Sequence, residues 1–242
     1  MNLTAVIETT ENCNLKCTFC LRPSFVKPAM NKEILEEVIK HLFEFSDERV
    51  DFIWHGGEPL LVGLDFFKTA LLFQKKYNKK KLIIKNNVQT NGILLTEEFR
   101  KFFENNNFVI GTSIQGTKEV HDSMRIDYLG KPTYDRLIQN ISKLKDKPSA
   151  IMVLTNEILG KEEEIYKEIK LYFKGLRISE YFPGGLNPKK NKIGDNKLET
   201  IMPASEEYGE SMIKFYELWK KDSNPIEIRP LTEFIRGFIQ GE

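Results

Sequence analysis

Residues 3–20 read LTAVIETTENCNLKCTFC, an apolar strand-like run followed almost at once by Cys13, Cys17 and Cys20. Residues 3–9 carry the β-branched and apolar side chains that are typical of a buried strand. The three cysteines are the only ones in the sequence, and they lie within eight residues of one another. Disulfide scaffolds need an even number of cysteines spread along the chain, so this cluster indicates a metal site instead.

Outward from this strand, strand-like runs alternate with amphipathic helix-like runs. The strand-like runs are residues 3–9, 50–54, 82–88, 108–114, 150–154 and 176–182, and the helix-like runs are residues 32–45, 64–77, 96–104, 133–144, 161–173 and 204–220. Strict alternation implies parallel strands joined by right-handed crossovers. Six such units predict an α/β fold with outer helices, in which the strands form an open, partial (βα)6 barrel of the TIM type.

The alternation stops at residues 183–203, where Gly, Pro, Asn and Lys dominate and hydrophobic periodicity vanishes. This composition predicts a long loop. We therefore expect a core over residues 1–182, the loop over 183–203, and a C-terminal helix and tail over 204–242. The tail contains a strand-like run at residues 226–230, which a short helix follows.

Composition narrows the class of protein. Lys and Arg number 36 against 35 Asp and Glu, a net charge of +1, which does not predict nucleic acid or an anionic membrane as a partner. No stretch approaches the roughly 20 apolar residues that a membrane span needs. The N-terminus lacks the basic and then apolar order of a secretory signal. Together with the clustered cysteines, these features predict a reducing, cytoplasmic location.

Thiolates suit either zinc or an iron–sulfur cluster. A structural zinc usually has a fourth protein ligand, but the chain has no fourth cysteine, and the nearest histidines are His41 and His55. A [4Fe–4S] cluster held by three cysteines would leave one iron open to a small ligand. We favour the cluster, with a zinc knuckle or three incidental core thiols as the alternatives.

Glycine-containing motifs follow the next three strands. They are Trp54-His55-Gly56-Gly57-Glu58-Pro59, Gln89-Thr90-Asn91-Gly92, and Thr112-Ser113-Ile114-Gln115-Gly116 with His121-Asp122-Ser123-Met124-Arg125 after it. A barrel of parallel strands places its active site at the carboxyl ends of the strands. Glycines at these ends allow a ligand to approach the backbone closely. The alternative is that the Gly-Gly and Asn-Gly pairs are ordinary turns.

The cysteine spacing, with Phe19 before the last cysteine, and the ordered strand-end motifs resemble the radical S-adenosylmethionine (radical SAM) superfamily over roughly residues 4–182. The resemblance implies that Cys13, Cys17 and Cys20 hold a [4Fe–4S] cluster and that the open iron chelates SAM. It further implies that the reduced cluster cleaves SAM to methionine and a 5′-deoxyadenosyl radical, which abstracts hydrogen from a substrate.

The same resemblance implies a set of SAM contacts. Glu58 and the backbone around it would bind the amino group of SAM, and Ser113 would bind its carboxylate or ribose. An arginine, Arg125 or alternatively Arg136, would pair with the carboxylate, because a guanidinium fork matches two carboxylate oxygens. The full expected set is Gly56, Gly57, Glu58, Pro59, Thr90, Asn91, Ser113 and Arg125.

Three further residues near these motifs have two readings each. His121 is a candidate general acid or base because its ordinary pKa is near neutrality, but it equally suits a helix cap or a residue that orients a neighbour. Gln115 stands where relatives usually carry Asp, so it either lacks the role of that carboxylate or tunes the substrate side. Tyr181 either borders the SAM adenine or the substrate, or belongs to the core.

The Ser-Ile-Gln-Gly and His-Asp pattern resembles the peptide-modifying and anaerobic sulfatase-maturating (SPASM-type) members of the superfamily. These usually carry C-terminal auxiliary clusters, but no cysteine follows Cys20 here. We expect a maturase that installs a crosslink or another modification in a precursor peptide or protein, with flavodoxin or ferredoxin as electron donor. The alternatives are a sulfatase-type maturase that generates formylglycine, a non-catalytic cluster-binding sensor, and a scaffold that binds SAM and a peptide for a partner enzyme.

Overall fold

The computed structural model describes residues 1–20, 22, 28–181 and 201–241. Within these residues, seven strands form one sheet whose spatial order is the order of the chain. The strands are β1 (Asn2–Thr10), β2 (Arg49–Gly56), β3 (Ile83–Thr90), β4 (Val109–Ser113), β5 (Ser149–Leu154), β6 (Gly175–Glu180) and β7 (Glu227–Arg229). The helices are α1 (Lys32–Phe45), α2 (Leu64–Tyr77), α3 (Glu97–Asn105), α4 (Lys118–Met124), α5 (Tyr134–Ile141), α6 (Glu162–Tyr172), α7 (Ser205–Lys221) and α8 (Leu231–Gln240).

The chain divides into two compact units. The first unit comprises Met1–Asn14 and Ser24–Gly111, and the second comprises Leu15–Pro23 and Thr112–Glu242. The boundary falls inside β4 and also inside the cysteine segment, so Cys13 belongs to the first unit, and Cys17 and Cys20 belong to the second.

In the first unit, β1, β2 and β3 are parallel, with Thr10 opposite Gly56 and Trp54 opposite Val88. The carboxyl ends of the three strands therefore share one edge of the sheet. Aromatic side chains from β2, α2 and α3 fill the core, and Phe67 meets the rings of Trp54 and Phe103 edge-on. α1 begins where Asn31 caps it, because the Asn31 side chain accepts a hydrogen bond from the Ile34 amide at 2.8 Å.

A buried polar triad lies inside this aromatic core. The Asn86 carbonyl oxygen on β3 accepts hydrogen bonds from the Trp54 indole N–H and the Gln74 amide, both at 2.9 Å. The Asn86 amide in turn donates to the Gln74 carbonyl oxygen at 3.0 Å. Each buried polar group is thus paired, and the triad ties β2, β3 and α2 together.

In the second unit, β5, β6 and β7 are parallel, with Leu154 opposite Glu180 and Leu176 opposite Ile228. The core of this unit includes Leu137, Met152, Ile165, Phe173 and Phe215, each almost fully buried. The end of α7 is fastened to α6 because Asp222 accepts a hydrogen bond from the Tyr166 hydroxyl at 2.7 Å and pairs with Lys170.

The predicted fold class is confirmed: the structure is α/β, and the strand pairs described above are parallel. β7 falls in the strand-like run at 226–230, and α8 is the short helix expected after it. The predicted loop at 183–203 lies outside the described residues up to residue 200. In the part of the chain that the structure describes, no helix is both long enough and apolar enough to cross a membrane.

Candidate cluster and cofactor site

Gly56 and Gly57, at the end of β2, lie against the backbone that leads to Cys13. A Cβ atom on Gly56 would be 2.2 Å from the Thr10 carbonyl oxygen, and one on Gly57 would be 2.2 Å from that of Asn12. The Gly57 amide donates to the Thr10 carbonyl at 2.8 Å, and the Glu58 amide donates to that of Asn12 at 2.8 Å. The glycine pair is therefore required by the close approach of two segments of this chain, and it fixes the start of the cysteine segment.

Glu58 is completely buried, and its carboxylate is surrounded by hydrogen-bond donors from the protein. One oxygen accepts from the Leu60 amide at 3.0 Å and from the Thr90 hydroxyl at 2.6 Å. The other accepts from the Asn91 amide at 2.8 Å. Burial raises the pKa of Glu58 to about 6, against the lowering effect of these three hydrogen bonds. The side chain therefore connects the end of β2 to the end of β3.

Asn91 connects this turn to Cys13. Its side-chain amide donates to the Asn14 side-chain oxygen at 2.7 Å and lies 3.8 Å from the Cys13 sulfur. Its side-chain oxygen accepts from the Ile93 amide at 3.0 Å, which leaves the amide nitrogen directed toward the cysteine segment. Thr90, which donates to Glu58, accepts a hydrogen bond from the Gly92 amide at 3.0 Å. An N–H donor thus faces the first cysteine.

In the second unit, the segment that carries Cys17 is paired with the chain that follows α4. The Lys16 amide donates to the Ile126 carbonyl at 2.8 Å, and the Thr18 amide donates to the Met124 carbonyl at 2.9 Å. Between these two hydrogen bonds, Cys17 lies beside Arg125. Burial raises the pKa of the Cys17 thiol, and the Arg125 charge opposes that rise.

The guanidinium group of Arg125 faces the cysteine segment. Its Nη1 atom is 4.0 Å from the Cys17 sulfur, and its guanidinium carbon lies 5.2 Å from the centre of the Phe19 ring. The residue is 8% exposed, and its Nε atom is buried with no hydrogen-bond partner among the described residues. The alternative arginine, Arg136, is exposed and pairs with Asp127 at 3.4 Å.

His121 holds the backbone on both sides of it. Its Nδ1 atom accepts from the Gln115 amide at 3.3 Å, so the proton is on Nε2, which lies 3.2 Å from the Thr133 hydroxyl oxygen. The Thr133 hydroxyl in turn donates to the Arg125 carbonyl at 2.5 Å. Burial, and then the charges of Arg125 and Lys118, lower the pKa of His121 to about 3. This geometry is that of a neutral histidine that orients its neighbours, the second of its two readings.

Gln115 has a physical reason to replace the usual acid. Its side-chain amide donates to the Val153 carbonyl at 2.5 Å, which a carboxylate cannot do, and the residue is fully buried.

Tyr181 lies just beyond β6 and is buried, and its pKa is raised by burial and then by the nearby Cys20 thiolate. Tyr181 is thus close enough to Cys20 for the cysteine's charge to act on the tyrosine hydroxyl. Ser113 is half-buried at the end of β4.

The groups around the cysteines fit an anionic iron–sulfur assembly. Asn91 offers an N–H donor to Cys13, and Arg125 offers a positive charge to Cys17. Among residues 1–20, 22, 28–181 and 201–241, no group of three or more His, Cys, Asp or Glu side chains is arranged to hold a metal ion. The sequence did not indicate the contributions of Asn14, Phe19 and Thr133, which depend on contacts distant in the chain.

The chain combines cysteine thiols after the first strand, a glycine pair at the end of the second strand, and a buried arginine just after α4. These are features of a cluster-binding α/β protein. Residues 7–176 match the family described as the Radical SAM superfamily. The chain belongs to the radical SAM superfamily. Membership implies a [4Fe–4S] cluster and S-adenosylmethionine as cofactors.

Two curated relatives indicate which members of the superfamily the chain resembles. The chain is 31% identical, over 226 residues, to a cysteine-type anaerobic sulfatase-maturating enzyme of Clostridium novyi, a match that covers 88% of this chain and 58% of the relative. It is 40% identical, over 141 residues, to a serine-type anaerobic sulfatase-maturating enzyme of Bacteroides thetaiotaomicron, covering 55% of this chain and 34% of the relative. The chain thus spans less than two thirds of the length of these relatives.

A solved structure described as native anSMEcpe with bound AdoMet and Cp18Cys peptide is similar over the whole chain. The TM-score is 0.89 at 28% identity, and the match covers 100% of this chain and 67% of that one. Radical SAM structures of this kind have the partial TIM-type barrel that the strand–helix alternation predicts. The expected resemblance to sulfatase-maturating and peptide-modifying members is confirmed.

Proposed function

We propose that this chain is the radical SAM core of an enzyme that modifies a peptide or protein. The observation that carries the proposal is the pair of donors at the cysteine segment: the Asn91 amide beside Cys13 and the Arg125 guanidinium beside Cys17. Both favour negative charge on the sulfurs, which is the charge that thiolate ligands of a cluster carry. Under this proposal, residues 1–182 are the catalytic core, followed by the loop 183–203 and the C-terminal part 204–242.

In this proposal Cys13, Cys17 and Cys20 hold the [4Fe–4S] cluster. When bound, the reduced cluster supplies the electron that splits SAM into methionine and a 5′-deoxyadenosyl radical, which takes a hydrogen atom from the substrate. The protonated amino group of SAM is a hydrogen-bond donor, so we propose that it binds backbone carbonyl oxygens in this region. The amides of Gly57 and Glu58, which also donate, cannot accept from it. We propose that Gly56, Gly57, Glu58, Pro59, Thr90, Asn91, Ser113 and Arg125 form the SAM site, to which the buried Glu58 contributes by holding the Asn91 turn.

Anaerobic reconstitution with iron and sulfide tests the cluster assignment. The wild-type protein should bind about four iron and four sulfide per chain and should form 5′-deoxyadenosine when SAM and dithionite are added. Replacing any one of the three cysteines with alanine should abolish 5′-deoxyadenosine formation. Iron binding without SAM cleavage would indicate a sensor instead, and SAM binding without cleavage would indicate a scaffold.

The named relatives favour a sulfatase-type maturase as the particular kind of enzyme. The relatives are of a cysteine type and a serine type, so we propose that the substrate residue is a Cys or Ser of a peptide and that its two-electron oxidation gives formylglycine. One hydrogen atom would pass to the 5′-deoxyadenosyl radical and one further electron, with a proton, to a one-electron acceptor; for Cys, hydrolysis would then release the sulfur as sulfide. Peptides from a sulfatase active site with Cys, Ser or Ala at the target position distinguish these cases by mass spectrometry. Conversion of the Cys or Ser peptide, with the Ala peptide unchanged, supports this reading, whereas crosslinking of a different precursor supports the general one.

Catalysis would need a one-electron donor, and we propose a flavodoxin or ferredoxin in a reducing cytoplasm. No nucleic acid or membrane partner enters this proposal. Replacing dithionite with flavodoxin, its reductase and NADPH should sustain 5′-deoxyadenosine formation. A requirement for dithionite that neither flavodoxin nor ferredoxin can replace would contradict the donor assignment.

A further inference from the structure

Arg125 is a buried cation without an acidic partner. No carboxylate of the described residues lies within ion-pair distance of it, and its Nε atom has no hydrogen-bond partner there. Charged side chains are rarely buried unless they are paired, because removing a charge from water is costly. The position of Arg125 therefore indicates an anion that the protein atoms alone do not supply.

The direction of the guanidinium is set by three independent contacts. The backbone hydrogen bonds of Lys16 and Thr18 hold the cysteine segment alongside residues 124–126. The Phe19 ring provides a flat surface for the guanidinium at 5.2 Å. The Thr133 hydroxyl, itself positioned by His121, fixes the Arg125 carbonyl. These contacts leave Nη1 facing the Cys17 sulfur at 4.0 Å.

We propose that Arg125 is a positioning residue for the cluster and raises its reduction potential through Cys17, before SAM binds. This inference rests on the proposed function, because it requires Cys17 to be a cluster ligand. Reduction adds one negative charge to the cluster, and a nearby guanidinium stabilises the reduced form more than the oxidised form. The guanidinium has five N–H donors, so contact with Cys17 leaves others to pair with the carboxylate of SAM.

The test is the reduction potential of the cluster in the absence of SAM, measured by a redox titration followed by EPR spectroscopy. Arg125→Gln should lower the equilibrium constant for one-electron reduction about tenfold, which is about 59 mV more negative. Arg136→Gln is the matched control, since it removes the same charge from an exposed arginine of the same unit. Its SAM-free potential should equal that of the wild type.

The proposal is overturned when Arg125→Gln retains the wild-type potential without SAM, even where its affinity for SAM falls. That result would leave Arg125 as a carboxylate ligand alone. Where Arg125→Gln fails to retain iron, Phe19→Leu is the second variant, because it keeps the charge and removes the surface that orients it. The Phe19→Leu potential should move in the same direction by a smaller amount, and an unchanged value would overturn the inference.

Failure of this inference is distinguishable from failure of the proposed function. A wild-type protein that holds the cluster but forms no 5′-deoxyadenosine would contradict the proposed enzyme. The comparison of SAM-free potentials would still be valid in that protein, because it requires only the cluster.

Discussion

The buried His121 should make the stability of the chain fall as the pH falls below 6.5. Its pKa is about 3 in the folded chain against an ordinary 6.5, so the unfolded chain takes up a proton first. Each pH unit below 6.5 then costs the folded state about 1.4 kcal/mol. At pH 5 the loss relative to pH 7.5 is about 2 kcal/mol, or a decrease of about 4–8 °C in the unfolding temperature.

The assay is urea unfolding of wild type and His121→Asn at pH 7.5 and pH 5, anaerobically and with a thiol reductant. Asparagine keeps an acceptor near the Gln115 amide but has no proton to gain, so the part of the pH effect that belongs to His121 should disappear. His41→Asn is the control, because His41 is an exposed histidine on α1. Equal losses of stability in wild type and His121→Asn between the two pH values would refute the reasoning.

Three further predictions concern the first unit. In the wild type, the free energy of unfolding should fall by about 2 kcal/mol as the pH rises from 4.5 to 6, because the folded-state pKa of about 6 favours the protonated acid, and Glu58→Gln should remove this decrease. Urea unfolding across this pH range measures the effect. A difference between variant and wild type that does not change with pH would contradict it. Gly57→Ala should lower the free energy of unfolding by about 1–3 kcal/mol and reduce the amount of iron bound on reconstitution. Gly209→Ala, which has open space at its Cβ, should lower neither quantity. Asn86→Leu should lower the free energy of unfolding, measured in urea, by about 1–3 kcal/mol, because it leaves the polar groups of Trp54 and Gln74 without their partner. A decrease no larger than that caused by Lys85→Ala, at an exposed position, would contradict this prediction.

Much of the fold could be predicted because its signals are local. The strands are recognisable as apolar runs, and the helices α1, α2 and α3 have the apolar spacing of one buried face. Cys13 and the glycine motifs after β2 and β3 come directly after strands of the first unit, so their placement at one edge of that unit's sheet follows from parallel topology. The helix α4 was not predicted, because seven residues are too few to establish a helical period.

The contacts of the candidate site could not be predicted, because they join residues that are far apart in the chain. The sequence shows Glu58 and Thr90 in two separate motifs, but not that the Glu58 carboxylate accepts a hydrogen bond from the Thr90 hydroxyl. Similarly, nothing local in the sequence pairs Lys16 with Ile126. Such pairings depend on strand register and on the path of the connecting chain, which periodicity does not determine.

The two units support their cysteines by the same physical means. In the first, a buried carboxylate that the protein has fully satisfied holds the Asn91 turn, and Asn91 presents one donor to Cys13. In the second, a buried neutral histidine holds the Arg125 backbone through Thr133, and Arg125 presents its charge to Cys17. Glu58 and His121 thus act on the cysteine sulfurs only through other residues, whereas the side chains of Asn91 and Arg125 face those sulfurs directly. Substitution of the first pair should therefore act mainly on stability and cluster retention, and substitution of the second pair on the potential of a cluster that is still bound.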